Sequence, residues 1–273
     1  MRTSLLKGWD KMRNLLIFNF RKLRRQKSFY ICVGIMLVMI LITASMYKAL
    51  EAMLSGTGLN QNASSTTQLL NAMMTGTGFA LSGLTNSSFI MIFGIITALA
   101  VCDDFEQHTV KTIFGRGYSR VKYYFSKLVA TLTSATAAFV LITACSFGLG
   151  AAFFGLNNVQ FGKIASLIGV QYIAALAAAS LVFMLSFLLK KTGLSIAAVI
   201  IIPSVLDLIM TLLDYMLNLK DMHITDLWLT TIFTDLANIS IQPGRILSCL
   251  FIALGYIAVF VSLGAIFARK TEA

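Results

Sequence analysis

The residues of this chain that could do chemistry are few, and most sit in one stretch: Asp103, Asp104, Glu106, Gln107, His108 and Lys111, followed by Gly115, Gly117, Arg120 and Lys127. Carboxylates, an imidazole and several cations so close together could serve acid–base chemistry or ion pairing. Elsewhere the candidates thin out. His223 is the only other histidine, so histidine-based catalysis within the apolar runs is not expected. Cys32, Cys102, Cys145 and Cys249 lie within or at the edges of apolar runs, without Cys-x-x-Cys spacing. They predict neither a disulfide framework nor a zinc site and read as small apolar residues. The chain has no Gly-x-x-x-x-Gly-Lys-Ser/Thr phosphate loop, no His-Glu-x-x-His motif and no Gly-x-Ser-x-Gly elbow. It is therefore not expected to be an enzyme, nor to cradle and hydrolyse ATP by the usual route.

Asp207 and Asp214 lie inside or beside an apolar run, seven residues apart and so on nearly one helical face. A charge at membrane depth costs roughly 2.5–3.5 kcal/mol unless it faces protein or water. Two readings stand: a cavity-facing pair that meets a cationic substrate or neighbours across a dimer, or a helix start at Asp207 after Pro203 and a kink, with Asp214 among outer headgroups.

Hydrophobic residues make up 58% of the 273 positions and charged residues only 12%, well under the roughly 25% charged of a soluble domain. Several apolar runs reach the ~20 residues needed to cross a bilayer. The chain reads as an all-α integral membrane protein with six spans, at 28–47, 84–101, 128–154, 164–189, 194–213 and 246–267. Helices are required because backbone in hydrocarbon must satisfy its own hydrogen bonds. An outer loop (48–83), a cytosolic loop (103–127) and an outer segment (214–245) connect them into a single transmembrane domain, 1–273.

The net charge of +11 does not point to nucleic acid. On this layout 18 of the 22 Lys and Arg fall in the N-terminal segment, the 103–127 loop, the Lys190-Lys191 turn and the C-terminal tail. That is the positive-inside pattern, with both termini cytosolic. The first apolar run follows 27 residues carrying nine basic side chains and lacks an Ala-x-Ala site, so it is expected to stay attached rather than be cleaved. Within residues 1–27, Leu5, Trp9, Met12, Leu16, Phe20 and Leu23 recur at helical steps, predicting an interfacial helix. In the outer loop, Gly56-Thr57-Gly58 and Gly76-Thr77-Gly78 read as turns bracketing a short segment at 68–74. The outer segment carries Asp221, Asp226 and Asp235, an acidic vestibule or simply the absence of Lys and Arg outside, with Trp228 and Phe233 as interface residues.

In the cytosolic loop Asp104 could cap a helix whose third residue, Gln107, completes a capping box, with Asp103, Asp104 and Glu106 at the positive end of its dipole. Gly115 and Gly117 would break the chain, and Ser119 would cap the next helix. The alternative is an ordinary solvated loop.

Glu106, Thr109-Val110-Lys111, the turn ending Tyr118-Ser119-Arg120, and Lys127-Leu128 opening a long span together resemble the first cytosolic loop of ABC-2 type transporter permeases, especially the bacitracin and lantibiotic-immunity branch. His108 stands where that family usually has glycine, and Gly117-Tyr118 where proline is frequent. The resemblance implies a type V exporter-like fold with an N-terminal interfacial helix and a cytosolic coupling helix, Phe105 through Ile113, docking on a separate ABC ATP-binding subunit. It gives the ATPase-coupling role to Phe105, Glu106, Thr109, Lys111, Thr112, Arg120, Lys190 and Lys191, with Asp207 and Asp214 as possible substrate-pathway residues. No cofactor would sit in this chain, ATP and Mg being bound by the partner. The partners would be two ATPase copies, a second copy of the chain or a paralogous permease, and the bilayer, without nucleic acid. The expected function is export of an antimicrobial peptide or other amphipathic compound across the bacterial cytoplasmic membrane. The alternative is a non-transporting anchor or sensory subunit for a cytosolic ATPase.

Overall fold

A computed structural model describes residues 2–56, 75–83, 87–107, 109–155, 161–217, 224–239 and 241–270. The helices are α1 (Arg2–Arg25), α2 (Lys27–Gly56), α3 (Gly76–Ser82), α4 (Ser87–Glu106), α5 (Thr109–Gly115), α6 (Arg120–Phe154), α7 (Phe161–Leu189), α8 (Thr192–Leu217), α9 (Leu229–Ala237) and α10 (Pro243–Lys270), with a 3-10 turn at Ile224–Leu227. No strand occurs among the described residues.

Small side chains place α7 at the centre. Its run Ala174, Ala175, Ala177, Ala178, Ala179 and Ser180 is buried, and small residues let neighbouring backbones approach where burial from water supplies no drive between helices in lipid. α10 packs along α7 most extensively, and α4, α6, α8 and α9 also touch it. By contrast α2, α8 and α10 leave most of their apolar surface uncovered, with residues such as Ile31, Leu208 and Phe251 exposed. An apolar face open to the surroundings is what lipid solvates.

Among the described residues, five helices are long and apolar enough to cross a membrane: Lys27–Leu50 of α2, then α6, α7, α8 and Pro243–Arg269 of α10. α4 occupies most of the range expected for the second span and is not one of the five. The 35 residues of α6 measure about 52 Å at 1.5 Å per residue, more than the roughly 30 Å of a hydrocarbon core. Its first turns therefore project past the apolar layer, carrying Arg120, Lys122 and Lys127.

At the opposite end of the bundle the second Gly-x-Gly is a helix start, not a turn. Thr75 accepts a hydrogen bond from the Gly78 amide as N-cap, and Gly76 through Leu81 of α3 are buried against α6. Helical pairing satisfies backbone groups that a buried turn would strand. Close approach explains the glycines, because a Cβ on Gly76 would collide with the carbonyl oxygens of Gly150 and Gly155, and one on Gly150 with that of Gly76. The segment expected at 68–74, and most of the expected outer loop, lie outside the described residues.

One buried side chain, Gln171 of α7, ties this end together. Its amide nitrogen donates to Leu81 O at the end of α3 and to Leu236 O at the end of α9, each at 3.3 Å. Trp228 and Phe233, expected at the membrane interface, are instead buried, Trp228 edge-on to Tyr256. The amphipathic pattern of α9 turns its apolar stripe inward, with Leu229, Ile232, Phe233 and Leu236 all buried. An unpaired acidic vestibule is also not what forms among the described residues: Arg245 binds Asp235 at 2.7 Å and Asp226 at 3.1 Å. Asp221 lies outside the described residues.

Gly76→Ala or Gly150→Ala should lower the stability of the detergent-purified protein by about 1–3 kcal/mol through overpacking. Gly169→Ala, where a Cβ meets open space, should be neutral or slightly stabilising. Thermal unfolding of the three variants side by side checks the close approach.

Candidate functional site

The charged stretch folds differently from a capped helix. α4 runs on through Glu106, so Asp103, Asp104 and Glu106 lie in its last turn and not at the start of a new helix. Gln107 Nε2 donates to Asp103 Oδ1 at 2.6 Å, reaching back one turn, and no capping box with Asp104 forms. Where one coupling helix is expected over Phe105–Ile113, α4 ends at Glu106 and the seven-residue α5 spans Thr109–Gly115; His108 lies outside the described residues. Three acids at the negative end of a helix dipole are unfavourable by themselves. They stay there because each finds a positive partner or a backbone N–H.

Asp104 is fully buried. Its Oδ2 accepts from Lys127 Nζ at 2.6 Å and Tyr123 Oη at 2.8 Å, and its Oδ1 from Lys22 Nζ at 2.6 Å. Lys22 also reaches Asp103 Oδ2 at 2.6 Å. Asn19, one turn earlier on α1, donates to Ser126 Oγ at 2.9 Å. One carboxylate thus joins the end of α4, the start of α6 and the N-terminal helix. Burial pushes the Asp104 carboxyl up, but the Lys127 and Lys22 ammonium groups outweigh it and hold it below the ordinary carboxylate range. Burial pushes Lys22 down, and its hydrogen bonds to Asp103 and Asp104 leave it above the usual lysine value.

Glu106 faces the other way. Its Oε1 accepts from the Thr192 backbone N–H at 2.7 Å, capping the first turn of α8 from another helix. Bonds from the Thr192 N–H and hydroxyl hold the Glu106 carboxyl below its usual range. The turn between α7 and α8 is two residues long, and Lys190 takes the left-handed conformation, φ 58°, with its N–H on Ser186 O at 3.0 Å. That is the helix-ending geometry usually given to glycine; Gly193 already belongs to α8.

Between these anchors α5 presents two sides. Val110 and Ile113 are buried in a small aromatic core with Tyr123, Tyr124 and Phe187, Phe114 meets Tyr123 edge-on at 5.8 Å, and Phe105 meets Phe187 at 5.3 Å. Lys111 and Thr112 point outward and are exposed. After α5 the chain turns at Gly117, φ 75°, a conformation that favours glycine. Ser119 then caps α6 by accepting from the Lys122 amide.

A groove of about 320 Å³ runs beside α5, lined by Phe105, Glu106, Val110, Lys111, Phe114, Arg120, Phe187, Lys190, Lys191 and Ala268. Six of the eight residues expected to couple to an ATPase meet in it. Thr109 and Thr112 line a second groove of about 360 Å³ on the α1 side, with Leu15, Phe18 and Tyr118 among its walls. Apolar floors rimmed by Lys and Arg suit a partner surface with an apolar knob and acidic edges. Lys22, Asn19 and Tyr123 were not singled out by sequence, since their partners lie 82, 107 and 19 residues away.

Asp207 and Asp214 are not brought to this site. Thr230 Oγ1 donates to Asp207 at 2.7 Å and Thr225 Oγ1 to Asp214 at 2.7 Å, so both acids hold the 224–239 segment against α8. No group of His, Cys, Asp and Glu able to hold a metal occurs among the described residues.

A family model described as ABC-2 family transporter protein matches residues 15–207, from α1 through most of α8 and including the whole loop. No curated protein matches the chain.

Removing one partner of a buried ion pair typically costs about 3–5 kcal/mol, whereas an exposed pair is worth about 1 kcal/mol or less. Asp104→Ala should therefore destabilise the protein far more than Asp103→Ala in thermal unfolding. The depressed Asp104 carboxyl contributes stability above its unfolded value that is lost as pH falls through its folded one. The raised Lys22 contributes stability below its unfolded value that is lost only as pH rises through its folded one. The contribution of Asp104 should be fully present above the ordinary carboxylate range near 3.9 and fall as pH drops below it. An acid limb that Asp104→Asn leaves unchanged would contradict this assignment.

Proposed function

Because the chain belongs to the ABC-2 transporter family, matched over 15–207, we propose that it is the membrane-spanning permease subunit of an ATP-driven exporter, with α4 as a sixth span. The observation that carries the coupling part of this reading is the groove beside α5, where Phe105, Glu106, Lys111, Arg120, Lys190 and Lys191 from three parts of the sequence line one surface. In this reading α5 docks on an ABC ATPase, which binds ATP and Mg and does the hydrolysis; this chain performs no chemistry of its own. The loop and both termini lie on the cytosolic side of a bacterial plasma membrane, in keeping with the positive charge gathered there.

Motion imposed on α5 has two routes into the spans. One passes through Asp104, Lys127 and Tyr123 to α6, the other through Glu106 and Thr192 to α8. A second copy of the chain, or a paralogue, pairs along the apolar faces that α2 and α8 leave uncovered, and each copy engages one ATPase. The substrate we assign, from the likeness of the loop to the bacitracin and lantibiotic-immunity branch, is an antimicrobial peptide or another amphipathic compound leaving through the membrane. Asp207 and Asp214 then serve mainly to hold the outer segment that closes the pathway, each through a threonine hydroxyl.

Co-purification with an ABC ATPase encoded beside this chain tests the reading. Wild type should form a complex whose ATP hydrolysis rises with an exported peptide. Lys111→Glu should reduce complex formation by reversing charge on the docking face, and Glu106→Ala should leave the complex but weaken stimulation by uncoupling α8. Stable association with hydrolysis indifferent to every exported compound would favour the anchor or sensory role. No association, with both variants silent, would overturn the permease assignment.

A further inference from the structure

The ion cluster accounts for one face of α1, where Leu15, Asn19 and Lys22 lie against α6 and the end of α4. The opposite face has a different character. Ile17 is 51% exposed and Phe20 38%, and the exposed Arg13 and Arg21 lie one turn to either side of Ile17. At about 100° per residue these four fall within an arc of roughly 100°. Position fixes what can reach this face. Gln26 alone separates α1 from α2, whose apolar window starts at Lys27, so the C-terminal end of α1, next to Arg21, lies within about one residue's reach, roughly 3.5 Å, of the head of that span.

Large apolar side chains interleaved with guanidinium groups at that level match the interface of an anionic bilayer: the apolar groups enter the acyl boundary while arginines hold phosphates in bidentate contact. A free phosphate would leave the apolar half unused. The same helix holds the loop from its inner side through Lys22 and Asp104, and the groove of about 360 Å³ between α1 and α5, walled by Leu15, Phe18 and Thr112, leaves room for the two helices to shift. We propose that the Arg13–Arg21 face of α1 binds anionic phospholipid, and that Lys22 and Asp104 relay this contact to α5, so that bilayer charge regulates the loop. The proposal rests on α1 being a membrane-surface helix and not on any ATPase, so it survives or fails independently of the permease assignment.

The test is hydrogen exchange on the purified full chain in nanodiscs of phosphatidylcholine alone or mixed equally with phosphatidylglycerol. Anionic lipid should slow exchange about thirtyfold in both 13–25 and 109–116, the size expected from two arginines at the surface, and high salt should remove the effect. The double variant Arg13→Gln/Arg21→Gln should lose both responses. Lys22→Gln should keep the response in α1 and lose it at 109–116, with Lys22→Arg restoring it; the retained α1 response shows that the variant is folded. An unchanged α1, or a double variant that still responds, would overturn the lipid site. Protection of α1 without any change at 109–116 in the wild type would overturn the relay.

Discussion

A carboxylate sealed from water at the end of a helix, where the dipole already disfavours it, persists only if cations are brought to it. Asp104 meets that condition with two lysines and a tyrosine hydroxyl, drawn from α1 and α6. The rest of the loop depends on this constraint. It decides where α4 ends, which way α1 lies and how the first turns of α6 are held beyond the apolar layer. α5 can be short because its neighbours are already fixed; its own contribution is two buried residues, Val110 and Ile113, and an outward face.

Much of the architecture was legible in the sequence, because its causes are local. Apolar length announces helices for a bilayer, and serine before a helix start announces a cap, as Ser119 shows. The resemblance of the loop also led to the family that the chain proves to match. The errors have a common physical origin. Asp104 and Gln107 have the spacing of a capping box, yet the two lysines that neutralise Asp104 stand 82 residues before it and 23 after it in the chain, and no local pattern reports them. Trp228 has the composition of an interface residue, and only tertiary packing against Tyr256 shows that it is inside. Gly76-Thr77-Gly78 reads as a turn when it opens a helix, since what selects Gly76 is the backbone at Gly150 and Gly155 pressed against it. The partners of Asp207 and Asp214, Thr230 and Thr225, are likewise inconspicuous residues of the outer segment that no local pattern reports.

The loop side and the opposite side of the bundle use polar contacts differently. On the loop side, charges concentrate and pairs are strong; Arg245 with Asp226 and Asp235 is the counterpart beside α9. Elsewhere at that end the ties are single hydrogen bonds: the Thr230 and Thr225 hydroxyls donate to the Asp207 and Asp214 carboxylates, worth roughly 1.5–3 kcal/mol each, and the Gln171 amide donates to neutral carbonyls at about 1 kcal/mol.

The amide of Gln171 sharpens that contrast. A single nitrogen serves the terminal carbonyls of both α3 and α9, and each of those carbonyls belongs to a helix too short to stand alone. If either helix leaves, one of the two amide hydrogens loses its acceptor in buried surroundings, and the remaining helix loses the companion that shares its donor. The seating of α3 and that of α9 are therefore linked through one side chain of α7.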